Sequence, residues 1–430
     1  GRFLMAEPHV QSYYAASANT HPEHPELQGE ESCDVCVVGG GLTGLSAALH
    51  LAERGYDVIV LEANRVGWGA SGRNGGQFIF GYSCEIEVIR KLVGLEAAKQ
   101  LWAMSLESVD LVRSLVETYK IDCDLVQGHL HAGIKPRHQR ELSEWRQDME
   151  EVYGYTGLKL WEGAELRNRI ASERYRAGLY DPNSGHLHPL NFTLGVAAAA
   201  VKSRVRILEN SRVQRIESGA SPLVVTEQGR VRCRYLLLAG NAYLNGISSK
   251  VHRNLMPVGT YIGATEPLGK QRAEALISNN MAVADTNFVL DYYRRSADHR
   301  LLFGGRVSYS TLEPRNLPET MRQRMLLVFP QLQEVRMEYA WGGYVGITMN
   351  RAPNLGRLGP NIFFAQGFSG HGVAIAPLAG KLMAEVVAGT AERFDMLARI
   401  PHRPFPGGQL LRTPSLVLAM AWFRIMDRLP

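Results

Sequence analysis

The stretch that decides the fold is Cys33–Glu62, CDVCVVGGGLTGLSAALHLAERGYDVIVLE. It opens with an apolar run of strand length that enters Gly39-Gly40-Gly41-Leu42-Thr43-Gly44 without a break. Leu45, Ala48, Leu49 and Ala52 then recur at helical spacing, Gly55 supplies a stop, and Asp57–Leu61 reads as a second strand ending at Glu62. A G-x-G-x-x-G run means little alone. Here it follows a strand, opens a helix, and has an acidic residue 18 positions past its last glycine. Gly39 permits the tight turn, Gly41 lets main chain approach a pyrophosphate, and Gly44 lets the helix pack closely on the strand. The phosphates would rest on the helix N-terminus, where free N–H groups and the positive dipole end favour an anion. Glu62 would accept a hydrogen bond from a ribose hydroxyl and repel a 2'-phosphate, which argues for FAD or NAD over NADP.

Outward from this unit, Arg65–Phe78 (RVGWGASGRNGGQF) interleaves five glycines with Ser71, Arg73, Asn74 and Gln77. Such a loop brings main chain against something flat or charged. From Glu85 to about Ala171 the pattern is helical, with a strand-like interruption near Gly128–Ile134. After Pro189 an alanine-rich helix (Leu194–Lys202) leads to strands at Val205–Leu208 and Arg212–Glu217. A hairpin-like pair near Val224 and Arg230 follows, and Tyr235–Gly240 returns to the nucleotide sheet. Strand-like segments recur from Pro257 to about Gly343 around one helix near Pro318–Phe329. The last piece is a strand at Ile362–Ala365, the loop Gly367–Gly372 and a helix at Val373–Val387, so the first domain is discontinuous.

Composition bounds the rest. At about 150 residues per domain, 430 residues predict two to three domains. Hydrophobic residues at 45% and charged residues at 21% exclude disorder, a collagen-like fibre and a polytopic membrane protein. A net charge of +5 is too small to imply nucleic acid. Five scattered cysteines and no signal peptide predict a cytoplasmic protein without a disulfide framework. Cys33 and Cys36 would point to opposite faces of a strand, and His186 and His188 lack a third ligand, so no metal site is expected. Ser415–Phe423 is apolar but far shorter than the roughly 20 residues that span a bilayer. A packed or oligomer-facing helix is expected there rather than a membrane contact.

With these residues in view, the chain resembles the glycine oxidase, sarcosine oxidase and D-amino acid oxidase superfamily of FAD-dependent amine oxidoreductases over nearly its whole length. The carrying segments are VVGGGLTGLSAALHLAERGYDVIVLEA, GASGRNGGQ, YLLLAGNAY, Trp341–Arg357 and GFSGHG. SYYAASAN, Leu290–Arg294, GFSGHGVA and PFPGGQLLRTP are most similar to its gamma-glutamylputrescine oxidase branch. The resemblance implies an α/β fold, α+β overall. A discontinuous Rossmann-like FAD-binding domain (31–84, 185–245 and 346–400) would join a mostly antiparallel substrate domain (85–184 and 246–345). A flexible segment (1–30), left out of the core, and a C-terminal tail or helix (401–430) would flank them.

By the same resemblance, Gly39, Gly41, Leu42, Thr43 and Gly44 hold the pyrophosphate of a non-covalent FAD, and Glu62 and Ala63 its ribose. Ser71, Gly72, Arg73, Asn74, Gly75, Gly76 and Gln77 cross the flavin, Val213 meets the adenine, and Ala239 and Gly240 close over the cofactor. Gly370, His371, Gly372 and Val373 lie at the pyrimidine end, where a helix N-terminus would stabilise charge on the reduced ring. His371 is a candidate for hydrogen bonding to the flavin or proton movement, and Arg306 for oxygen activation. Tyr261, Tyr292, Tyr293, Trp341 and Tyr344 are candidate pocket walls.

Two departures carry the functional expectation. Glycine-oxidase-type sequences have a substrate-gripping arginine where this chain has Val345, and sarcosine oxidases a lysine where it has Ala374. A cavity without those cations suits an amine with no carboxylate beside the oxidised carbon. The expected reaction is oxidative deamination of gamma-glutamylputrescine or a related polyamine derivative, with O2 as acceptor. The alternatives are a dehydrogenase passing electrons to a quinone or carrier, and a flavin-binding protein without turnover.

Overall fold

The structure, a computed structural model, describes residues 6–244, 247–286, 290–305 and 313–406, together with residues 414 and 418. Two sheets organise them. The first has eight strands, and its central order is Asn354–Arg357, Ile362–Gln366, Gly229–Leu238, Gly29–Val38, Val58–Leu61 and Arg206–Leu208. Its inner pairs are parallel, which needs helices on both faces. Val35, Cys36, Val37, Val58, Ile59 and Val60 are accordingly solvent-free. The helices Leu42–Glu53 and Gly372–Val387 pack on one another, closely enough that a Cβ at Gly380 would meet the Thr43 carbonyl oxygen at 2.3 Å. Three widely separated stretches of chain thus build one nucleotide sheet. Gly229–Leu238 is a single strand where two segments were expected, its first half pairing antiparallel with Leu223–Thr226.

The second sheet has nine strands, antiparallel except where Ala282–Asp285 runs parallel to Val126–Gly133. It recruits Gln77–Phe78 through pairing with Ala177–His186, so the end of the glycine-rich loop belongs to this sheet rather than to the first. The helix Pro136–Glu151 packs on it, whereas Ile86–Val93 packs on Leu95–Tyr119, which lies against the helices Pro189–Lys202 and Gly372–Val387.

The N-terminal segment corrects an expectation. Residues 6–28 are not outside the core: Tyr13 and Tyr14 are buried in its largest apolar cluster and Leu27 is buried in another. A short helix at Tyr13–Ala16, capped by Ser12, turns both rings inward. Burial of Tyr14 is tolerated because its hydroxyl accepts a hydrogen bond from Arg294 Nη2 at 3.0 Å. The apolar run 415–423 lies outside the described residues except for Leu418. No helix among the described residues is long and apolar enough to cross a membrane.

Candidate functional site

A single cavity of about 1590 Å³ runs from the nucleotide sheet to the second sheet. Ordinary small-molecule sites occupy about 300–1,000 Å³, so it has room for a dinucleotide and a substrate. Of the residues expected to hold the cofactor, Gly39, Gly41, Leu42, Thr43, Glu62, Ala63, Ser71, Asn74, Gly75, Gly76, Gln77, Val213, Ala239, Gly240 and Gly370–Val373 line it.

Main chain makes the nucleotide end. Gly39 turns with φ +118°, a conformation that L side chains rarely adopt. Gly44 does not line the cavity; a Cβ there would lie 2.0 Å from the Gly39 carbonyl oxygen, so it sets how closely helix and strand approach. The glycine helix has no side chain at its N-cap, and Ser71 Oγ, from the neighbouring loop, accepts from Leu42 N at 2.9 Å. Glu62 accepts from Gly40 N at 3.1 Å and from Asn64 N at 2.6 Å. Burial nevertheless pushes its carboxyl up to about 7, with Glu209 adding repulsion. A ribose hydroxyl would give it another donor.

The glycine-rich loop corrects two assignments. Gly72 and Arg73 do not line the cavity. A Cβ at Gly72 would meet the Gly67 carbonyl oxygen at 2.0 Å, and Arg73 clamps the loop by donating to Trp68 O at 2.7 Å and Gly342 O at 3.2 Å. Asn74 closes the turn through Ala70 O, Ser71 O and Gly76 N. Gln77 faces the cavity, but its amide donates to Val283 O and Tyr293 O and accepts from His129 Nε2, tying the loop to the second sheet.

The catalytic candidates fare differently. His371 lines the cavity with Nε2 at 2.9 Å from Ile79 O and 3.1 Å from Phe80 O. Both neighbours are acceptors, so Nε2 carries the proton, and burial holds the imidazole neutral by lowering its pKa. It thereby fastens the GFSGHG loop to the second sheet. Trp341 is not a pocket wall: its Nε1 donates to Arg73 O at 2.9 Å and its ring meets Tyr14 edge-on. Tyr344 is not one either; its backbone N–H donates to the hydroxyl of Tyr243, which does line the cavity. Tyr261 and Tyr293 are core residues, and of the five aromatics only Tyr292 reaches the cavity, packed over Gly75. Arg306 lies outside the described residues.

Sequence reasoning missed the far end. There the wall is Phe80, Trp102, His131 and Trp145, with Glu85, Glu87, Glu141, Glu144 and Asp148. Phe80 contacts the other three rings at 5.4–5.8 Å and is tied through its carbonyl to His371, which connects this end to the cofactor loops. Burial lowers the His131 pKa to about 3, so it adds no positive charge. Glu141, Glu144, Trp145 and Asp148 recur at spacings of three, four and seven along one helix. That face was legible, but without the cavity it reads as a solvated surface.

Val345 lines the cavity as expected, paired with Val258 across the sheet. The expectation of a wall free of cations needs correction, because Arg212 and Arg351 also line it. Arg212 adjoins Val213 at the nucleotide end, and Arg351 follows Met349 and Asn350 in the loop after the strand that carries Val345.

The family model described as FAD dependent oxidoreductase (DAO) matches residues 34–386. The chain belongs to this family. Among its relatives, gamma-glutamylputrescine oxidoreductase of Escherichia coli (strain K12) is 44% identical over 422 residues, covering 98% of this chain and 99% of that protein. Probable oxidoreductase OrdL of Haemophilus influenzae (strain ATCC 51907 / DSM 11121 / KW20 / Rd) is 41% identical, covering 98% of each. The fold is that of glycine oxidase from Geobacillus kaustophilus, with a TM-score of 0.69 at 21% identity over 83% of this chain and 95% of that one. The protein is therefore an oxidoreductase with FAD as its cofactor. The glycine-walled cavity fits that group, since side chains at Gly39 or Gly41 would collide with Ala239 and Ser71. None of the five cysteines is in a disulfide, and burial pushes the thiol of Cys84, which lines the cavity, up to about 12.

Proposed function

We propose that the protein deaminates gamma-glutamylputrescine, or a related polyamine derivative, at its primary amine carbon. The observation that carries this reading is the far wall of the cavity, where Trp102, Trp145 and Phe80 stand among five carboxylates. Aromatic faces and acidic groups together attract an organic ammonium, and the carboxylates raise its local concentration. The similarity to a protein named for gamma-glutamylputrescine supports the choice of amine.

When bound, FAD would supply a two-electron acceptor for the carbon beside the neutral amine; the resulting imine would take up water to give aldehyde and ammonia, and dioxygen would accept the two electrons and two protons as hydrogen peroxide. The chain's own residues prepare the substrate. An alkylammonium resembles a lysine with a pKa of about 10.4, so presenting it neutral at pH 7.5 costs roughly 4 kcal/mol. Val345 lowers that cost by disfavouring charge near the cofactor, while the aromatic faces and the outer carboxylates hold the charged form before it reaches that position. Neutral His371 fixes the GFSGHG loop, whose helix N-terminus faces the cavity. Arg351 suits a carboxylate remote from the reacting carbon, as a gamma-glutamyl group carries.

The test is a panel of gamma-glutamylputrescine, putrescine, glycine and sarcosine in a coupled peroxide assay, with anaerobic bleaching of the yellow protein read in parallel. Preference for the first compound with stoichiometric peroxide is expected. Bleaching by glycine or sarcosine alone would refute the substrate. Bleaching without peroxide, relieved by a quinone, would refute the acceptor.

A further inference from the structure

Arg294 lies on the strand Asp291–Arg295 and is buried at 3% exposure. Its Nε donates to Gly75 O at 2.7 Å, Nη2 to Tyr14 Oη at 3.0 Å, and Nη1 approaches His186 Nδ1 at 3.4 Å. His186 Nε2 lies 2.7 Å from Asn280 O, so Nε2 carries the ring proton and Nδ1 presents a lone pair to the guanidinium. Burial and the adjacent guanidinium together hold that imidazole neutral, with its pKa lowered to about 3. Each of these partners is neutral. Asp298 is engaged with Arg300 and Ser296, Asp124 is an exposed loop residue that interacts electrostatically with the guanidinium without an ion-pair contact, and Arg294 forms no ion pair among the described residues. A buried charge without a counter-ion is costly, and a guanidinium stays charged. It is retained where something else uses its field.

What lies in front of it is the cofactor loop. A Cβ at Gly76 would come within 2.9 Å of Arg294 Nη2, so the guanidinium packs directly on main chain whose other side lines the cavity. We propose that Arg294 is a positioning and charge-supplying residue for FAD: it orients the Gly75 peptide and, from one backbone layer behind the wall, favours negative charge on the flavin. The proposal rests on the flavin being seated over Gly75–Gln77. Tyr14 belongs to the same device, since the N-terminal segment supplies a neutral acceptor where a carboxylate would cancel the field.

The experiment compares holoenzyme carrying Arg294→Lys, Arg294→Met or Gly75→Ala with the parent. Three quantities are read: FAD affinity, the visible spectrum of bound FAD, and affinity for sulfite, which bleaches oxidised flavin most readily where the protein favours negative charge on the ring. Arg294→Met is expected to weaken sulfite binding about tenfold or more, the size Coulomb attraction across a backbone layer gives in a protein interior. Arg294→Lys keeps the charge and stays within about threefold of the parent. Equal losses in both variants, or none in Arg294→Met, would overturn the proposal. If Arg294→Met does not fold, His186→Glu sets a carboxylate beside an intact guanidinium and must weaken sulfite binding in the same direction; unchanged affinity overturns the proposal. Gly75→Ala tests the seating by itself, because its Cβ would meet the Tyr292 ring at 2.5 Å. An unaltered flavin spectrum there would refute the seating. An altered one, with normal sulfite affinity in Arg294→Met, would refute only the role of Arg294.

Discussion

The two ends of the cavity are built from different material. The nucleotide end is main chain from contiguous glycine motifs, whose geometry tolerates no side chain: a Cβ at Gly44 would stand 2.0 Å from a carbonyl oxygen. The far end is side chains from the loop at Phe80, the strand that carries His131 and the helices that carry Trp102 and Trp145, several of them half in water. A backbone site fails all at once when its spacing is disturbed. A side-chain site degrades by degrees and is where substrate choice can change without loss of the fold.

The largest break in that contrast comes from Gly44→Val. Overpacking there is expected to cost about 3 kcal/mol or more, and the protein should purify colourless, read as FAD absorbance per mole of polypeptide and by thermal unfolding. Next is Val345→Arg, which leaves the nucleotide end intact and sets a like charge beside the amine. With an expected cost of several kcal/mol, kcat/KM for gamma-glutamylputrescine should fall about a hundredfold while the bound FAD spectrum persists. A fall matched by loss of FAD would erase the distinction between the two ends.

Smaller still is the triple change Glu141→Gln, Glu144→Gln and Asp148→Asn. It is expected to lower kcat/KM about tenfold at low salt with kcat nearly unchanged, and the difference should fade toward about 1 M salt, as screened attraction does. Steady-state kinetics across ionic strength check it.

The subtlest prediction concerns Glu62. Its folded carboxyl is raised to about 7, so the folded apoprotein keeps a proton that the unfolded chain releases near the ordinary carboxylic range. Its contribution to stability is present at low pH and lost as pH rises toward about 7, by at most about 1.36 kcal/mol per unit. Glu62→Gln removes that contribution, so the difference in apoprotein stability between parent and variant should shrink and then reverse over this window. Parallel pH profiles would show that Glu62 is already ionised in the fold.

The nucleotide unit was legible because its information is local. Strand, turn, helix and strand follow one another within Cys33–Glu62, and the roles read for Gly39 and Gly44 match their positions in the fold. Arg73 and Trp341 misled because a residue in a functional motif can serve the motif's own scaffold: one clamps the loop and the other braces it from behind. The Tyr13-Tyr14 pair was set aside with a polar segment, since nothing nearby in sequence reveals Arg294, 280 residues away, as partner to Tyr14.

By itself, then, the amino-acid sequence determined the Rossmann-like unit and the discontinuous first sheet, because both rest on short-range periodicity and glycine spacing, while the FAD cofactor and the family came from the resemblance of its motifs. Tertiary structure alone decided which aromatic and acidic side chains meet beyond the flavin loops, that Arg351 shares the wall with Val345, and that a guanidinium without an ion pair among the described residues stands behind Gly75 and Gly76. Those juxtapositions depend on how strands far apart in the chain are ordered in the second sheet, and no local pattern encodes that order.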